Sequence, residues 1–315
     1  MGRAINLFFM GKGGVGKSSC SALNAVSLAE SGYKVLLVSL DPAHNLSDIF
    51  SLKLNHKPTK ILPGLKAIEI DQNRWIKAYL KDIQRQVRKT YSYLSAFNLD
   101  HYFKIIRHSP GLEEYALLMA FRYFTDHYGD YDFLVFDMPP TALAVKFFGL
   151  PSLSLIWIEQ LYSLRQEIIE KRELITRIRL LNKEVERDKV LRRINELRSE
   201  CQAVRDIFQD RTRTRIHLVM NSDELSHAES RRIVDDLNDL DISIDYIVHN
   251  KMQPHVSCSH SDSTFTGIPV LEFPCSETPL IGMEALQGFL DADHARVRSQ
   301  LHACLMPNES FSRPD

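Results

Sequence analysis

Two lysines, a serine and two aspartates carry the chemistry that this chain makes legible. Lys12, Lys17 and Ser18 fall within GKGGVGKS, residues 11–18, and Asp41 and Asp137 each end an apolar run. The eight-residue segment fits the pattern G-x-x-x-x-G-K-[ST], with an apolar strand-like run (Ile5–Met10) before it and a helix-like stretch (Ser19–Glu30) after it. Gly13, Gly14 and Gly16 allow successive backbone N–H groups to turn toward a polyphosphate, and the following helix presents its positive dipole end to the same anion. Lys17 then reaches the β- and γ-phosphates, and the Ser18 hydroxyl ligates Mg²⁺. The nucleotide contact surface expected from this is Gly11, Lys12, Gly13, Gly14, Val15, Gly16, Lys17, Ser18 and Ser19. Lys12 comes too early to be the phosphate-binding lysine of the pattern. Its bland reading is a solvated surface lysine.

The aspartates stand where such a loop needs carboxylates. Asp41 opens Asp41-Pro42-Ala43-His44-Asn45-Leu46-Ser47-Asp48, and Asp137 opens Asp137-Met138-Pro139-Pro140-Thr141. One carboxylate can orient or deprotonate the attacking water, and one can hold Mg²⁺ through its water shell. The water is assigned to Asp41 and the magnesium to Asp137. Taken singly, each could instead cap a helix.

Short β-rich runs that could support these side chains recur at Ile5–Met10, Lys34–Leu40, Leu65–Ile70, Phe133–Asp137, Ile216–Met220, Ile244–Val248 and Pro269–Phe273. Their continuous apolar character suits strands buried on both faces of a mostly parallel sheet. Helical patterns between them predict a doubly wound α/β core with its ligand at the carboxyl ends of the strands. Two stretches break the rhythm. Residues from about 72 to 128 are helical in pattern and rich in aromatics, and residues from about 152 to 212 are helical and densely charged. In the second, Val190, Ile194, Leu197, Cys201, Val204 and Phe208 form a heptad-like stripe, preceded by a looser one at Leu161, Leu164, Ile168, Ile175 and Ile178. An antiparallel pair burying both stripes is expected. The chain thus reads as a single domain over residues 1–315, with a helical subdomain formed by the two insertions and a flexible tail at 306–315.

A net charge of −1 gives no electrostatic footprint for nucleic acid or an acidic membrane. Five cysteines without a C-x-x-C pair suit a reducing compartment. No secretory signal is read, and Asn6 spoils the myristoylation pattern after Gly2. The longest apolar stretch, Leu143–Ile158, is interrupted by Lys146 and Pro151, so no transmembrane helix is expected and the default location is cytoplasmic.

KGGVGKS, DPAHNLSDIF and the Asp-x-x-Pro-Thr segment together resemble the arsenite-pump and tail-anchored-protein-targeting ATPase family. Pro110-Gly111-Leu112-Glu113-Glu114, Val219-Met220-Asn221, Ala228-Glu229-Ser230 and Ile247-Val248-His249-Asn250 extend the likeness. The resemblance implies a homodimer hydrolysing MgATP, with Lys12 donated across the dimer to the partner's nucleotide and Asp41 activating water. It also implies Asp223 near the nucleotide, Asn250 on adenine, and Pro274 and Cys275 in a loop wrapping the base. The implied cargo is a hydrophobic helix of a membrane-protein client, handed to a membrane receptor or channel. An alternative is the energising ATPase of an arsenite or anion exporter, and a second is a surface-organising or partition ATPase.

This sequence departs from the family at three places. Targeting members carry a C-x-x-C that shares Zn²⁺ across the dimer, whereas this chain reads Cys258-Ser259-His260, so zinc is not expected. The scattered cysteines do not suit the thiolate-rich coordination of As(III). Ala142, Leu143 and Ala144 stand where many members have Gly-His-Thr, which bears on coupling to the helical subdomain.

Overall fold

The computed structural model describes residues 4–43, 45–90, 111–179, 189–253, 263–292 and 296–303. Cys258 and His260 lie outside them. Eight strands, β1 (Ile5–Met10), β2 (Val35–Ser39), β3 (Thr59–Leu62), β4 (Leu65–Glu69), β5 (Phe133–Asp137), β6 (Thr214–Met220), β7 (Tyr246–Met252) and β8 (Val270–Pro274), form one sheet in the order β3-β4-β2-β5-β1-β6-β7-β8. All pairs are parallel except β3–β4. This is the expected α/β architecture. The helices are α1 (Lys17–Glu30), α2 (Asn45–Phe50), α3 (Gln72–Thr90), α4 (Leu112–His127), α5 (Thr141–Arg179), α6 (Lys189–Gln209), α7 (Glu224–Asn238), α8 (Met283–Ala292) and α9 (Arg296–Ala303).

Side chains along β1 alternate between two cores because successive Cβ atoms leave opposite faces of a strand. Leu7 and Phe9 join α1, α8 and α9 through Leu23, Val26, Leu286, Leu290 and Val297. Phe8 and Met10 face α4 to α7, where Phe121, Phe147, Phe208 and Ile233 pack. Phe8 sits among Phe136, Phe148 and Phe208, with ring centroids 5.0, 5.1 and 6.0 Å away. Burial of each such ring stabilises by roughly 1.5–3 kcal/mol, so this layer anchors the helices to the strands that carry the site. His217 on β6 is fully buried and stacks on Phe9 and Tyr246, with centroids 4.6 and 5.4 Å apart.

Three details differ from the sequence reading. The edge strand β3 has no clear apolar run and is only partly buried, so periodicity does not reveal it. Strand β7 continues past Val248 through His249 and Asn250, both buried. Helix α5 runs unbroken through Pro151, and Thr141–Lys171 is long and apolar enough, by length and composition, to cross a membrane. Lys146 and Pro151, read as interrupting the apolar stretch, do not interrupt the helix. Its first turns are nevertheless built into the core, through Ala144, Phe147 and Phe148.

Helices α5 and α6 run antiparallel, since Phe148 meets Phe208 at 4.9 Å while Glu159 pairs with Arg198 at 2.9 Å. Of the two expected stripes, the described parts differ along this pair, the side chains of Ile175 and Ile178 lying outside the described ones. Ile194, Val204 and Phe208 of α6 are inside, whereas Leu161, Leu164 and Ile168 of α5 are exposed.

Candidate functional site

The carboxyl ends of β1, β5 and β2 meet at the phosphate-loop segment. Asp137 is level with Phe9 of β1 on one side and Ser39 of β2 on the other, so its side chain lies directly beneath the loop that follows Met10. Loop conformation follows from its glycines. Gly16 has φ 97°, and a Cβ there would overlap the Asn250 carboxamide nitrogen. A Cβ on Gly11 would overlap the Val219 carbonyl oxygen, while Gly13 and Gly14 face open space. The loop is therefore pressed against β6 and β7 on one side and open on the other, as a cradle for an anion requires. Helix α1 starts at Gly16 with no side-chain cap and no acidic residue in its first turn, so its first N–H groups remain available to an anion.

Lys17 is buried, and its ammonium donates to the Lys12 carbonyl oxygen at 3.2 Å. Burial lowers its pKa, offset by the negative charge of Asp137, Asp41 and Glu229. Asp137 is fully buried, and its Oδ1 has no hydrogen-bond partner. Its carboxyl is pushed up to about 7, chiefly by burial and further by Asp41, against the pull of Ser18, Lys17 and Ser39. A buried orphan carboxylate oxygen beside the Ser18 hydroxyl is a donor set that suits a hard cation such as Mg²⁺. Asp41 is buried too, and its Oδ1 accepts from the Ala43 N–H at 3.0 Å. Its segment is pinned by Glu69, whose carboxylate accepts from the Ser47 N–H and hydroxyl at 2.8 and 2.7 Å.

Asn250 donates through Nδ2 to the Val15 carbonyl oxygen at 2.8 Å, which brings β7 onto the loop. Asp223 caps α7, accepting from the Ser226 N–H at 2.8 Å, and pairs with Lys12 at 3.7 Å. Pro274 ends β8, and Cys275 is exposed beyond it. Two contacting residues are given no role by the sequence: Lys251 is not singled out, and Glu229 appears only within the Ala228-Glu229-Ser230 likeness. Lys251 donates to the Gly14 carbonyl oxygen at 2.9 Å, and Glu229 accepts from the Thr141 hydroxyl at 2.5 Å. Among the described residues, no group of three or more His, Cys, Asp and Glu side chains is placed to hold a metal ion.

A phosphate loop at the carboxyl end of a central parallel strand, backed by strand-end aspartates, defines a P-loop NTPase core. The family of anion-transporting ATPases matches residues 5–291, and the chain belongs to that family. A putative arsenical pump-driving ATPase of Prosthecochloris vibrioformis is 29% identical, covering 90% of this chain and 73% of the relative. Putative arsenical pump-driving ATPase 2 of Aquifex aeolicus is 27% identical over 90% of this chain and 96% of its own. An ATPase ASNA1 homolog of Cryptosporidium parvum is 31% identical over 78% and 64%. The reaction class is ATP hydrolysis.

Proposed function

We propose that the chain is a cytoplasmic, dimeric MgATP-driven switch that binds hydrophobic segments of membrane-protein clients. In this reading the loop and Lys17 hold the phosphates, and Ser18 with Asp137 hold Mg²⁺, the latter through water. When bound, the metal neutralises charge on the β- and γ-oxygens. Asp41 orients the water whose oxygen attacks the γ-phosphorus and takes up its proton as ADP departs. The Asn250 carboxamide oxygen accepts from the adenine amino group, and Pro274 and Cys275 flank the base. Lys12, held by Asp223 in the single chain, swings to the partner's nucleotide in the closed dimer. Mixing Lys12→Ala with Asp41→Asn subunits tests this: turnover should depend on which site carries which defect, and simple averaging of independent sites refutes it.

The observation that carries the client reading is helix α5. It begins within the switch segment that follows Asp137 and continues without a break to display exposed Leu153, Ile156, Trp157, Leu161, Leu164 and Ile168. Several of these residues line a cavity of about 760 Å³ closed by Tyr79, Leu118, Leu197 and Val204. Exposed apolar side chains beside such a cavity support the client reading. The helices α3 to α6 are proposed to act as one subdomain around it. A photoreactive hydrophobic peptide helix should crosslink to α5 more strongly with a non-hydrolysable ATP analogue than without nucleotide. Labelling absent in both states overturns the client reading.

The names of the arsenical pump-driving relatives favour a second reading, an energising subunit for an anion exporter. That reading requires ATPase activity stimulated by arsenite. Cys20 is buried with its thiol pKa raised by desolvation, which makes it a poor soft-metalloid ligand.

A further inference from the structure

Three carboxylates act on the Lys17 ammonium, and only two are explained by the hydrolytic site. Asp41 and Asp137 end strands, as loop chemistry demands, whereas Glu229 lies on α7, outside every strand end. Its carboxylate accepts from the Thr141 hydroxyl at 2.5 Å, and Thr141 is the first residue of α5. At the start of the same helix α7, Asp223 pairs with Lys12. One helix therefore touches the phosphate loop at its N-terminal cap and the switch segment nearly two turns further along. Its C-terminal half packs into the core through Ile233, Val234 and Leu237.

We propose that Glu229 is a positioning residue, a latch whose carboxylate holds the Thr141 hydroxyl and so fixes the first turn of α5 against the phosphate loop until a polyphosphate arrives. The reason is electrostatic. A polyanion in the cradle draws the Lys17 ammonium toward itself and adds its own negative charge to the field at Glu229, which is thereby repelled. The carboxylate withdraws, Thr141 loses its acceptor, and the N-terminal turn of α5 is released. Displacement at that turn propagates along a continuous helix to Leu153, Trp157 and Leu161. The inference rests on the switch reading above, and it names the group that couples nucleotide to the apolar face. It also gives Ala142, Leu143 and Ala144 a role as a passive hinge, since they offer no side-chain hydrogen bond that could replace Thr141.

The chain has two tryptophans, and Trp157 is 66% exposed on α5 while Trp75 packs on Tyr123 and Phe124. In a Trp75→Phe background, Mg²⁺ with a non-hydrolysable ATP analogue should shift Trp157 emission. Thr141→Val and Glu229→Gln should each reduce that amplitude at least about fivefold while changing nucleotide Kd less than about threefold. Thr141→Ser, which keeps the hydroxyl, should restore the response, and the double variant should be no worse than either single one. A Thr141→Val response equal to that of the parent, or a Thr141→Ser variant as defective as Thr141→Val, overturns the latch alone. A parent that gives no signal overturns both the latch and the switch.

Discussion

Helices α1 and α7 leave adjacent parallel strands, β1 and β6, at the same end of the sheet, yet their N-termini are built in opposite ways. Helix α1 begins at a left-handed glycine with no side-chain cap and no acid in its first turn. Helix α7 begins at Asp223, which accepts from the Ser226 N–H, and carries Glu224 in its first turn. Both dipoles attract negative charge, but α7 supplies its own. In the nucleotide-binding reading proposed above, the neighbouring pair contrasts an N-terminus left open to an anion with one that carries its own negative charge.

The largest expected effect comes from making α1 resemble α7. Gly16→Asp places a carboxylate and a Cβ where the backbone is left-handed and Asn250 is close, so nucleotide affinity should fall by about a thousandfold in isothermal titration. An affinity within tenfold of the parent would show that the bare terminus contributes little. Next come the two charged groups around the cradle, which separate binding from turnover. Lys17→Ala should weaken nucleotide binding about a hundredfold. Asp41→Asn should bind within about threefold of the parent but lose about a hundredfold in kcat. Wild-type turnover in Asp41→Asn would remove this residue from the role of base.

A smaller effect is a pH dependence. Burial pushes the Asp137 carboxyl up to about 7, so in the proposed role it must lose its proton to serve Mg²⁺ at lower pH. Affinity for the magnesium nucleotide should therefore fall up to about tenfold per unit as pH drops below 7, with proton release on binding, and level off above it. Affinity unchanged down to pH 5.5 would place the metal elsewhere. The smallest effect is on α7 itself. Asp223→Ala removes a cap and should cost about 1 kcal/mol of stability in urea unfolding, with nucleotide affinity of the single chain changed less than about threefold.

What the sequence disclosed of this arrangement depended on contiguity. The loop is eight successive residues, and Asp41 and Asp137 end apolar runs, so their types and spacing announce a phosphate site before any fold is known. The central strands were legible for the same reason, being unbroken apolar segments. The contacts of Glu229 and Lys251 were not. Their partners lie 88 and 237 residues away, and a glutamate on a helix or a lysine at a strand end looks like any solvated charge. Strand β3 escaped because an edge strand buries too little to need an apolar run. The stripe on α5 predicts half of a buried seam only if something covers it, since periodicity shows that a face is apolar and not what covers it.

The stacking of His217 between Phe9 and Tyr246 has a consequence for the whole chain, a built-in limit to acid tolerance. Burial, with help from Arg215, pushes this imidazole down to about 3, so the fold keeps it neutral while the unfolded chain takes up a proton from about pH 6.5 downward. The stability tied to its neutrality is intact above pH 6.5 and drains away toward pH 3, at up to about 1.4 kcal/mol per pH unit. Asp137 works in the opposite sense, favouring the native state in acid until its carboxyl ionises near 7. The histidine's share is isolated by His217→Phe, which keeps a ring in the stack and should flatten the difference in urea stability between pH 7 and pH 4.5. A parallel pH profile for both proteins would assign the acid limb to other groups. On this account the central strand pair behaves as a chemical fuse: the ring that fills the middle of the sheet is also the one that sheds the fold when the surroundings turn sour.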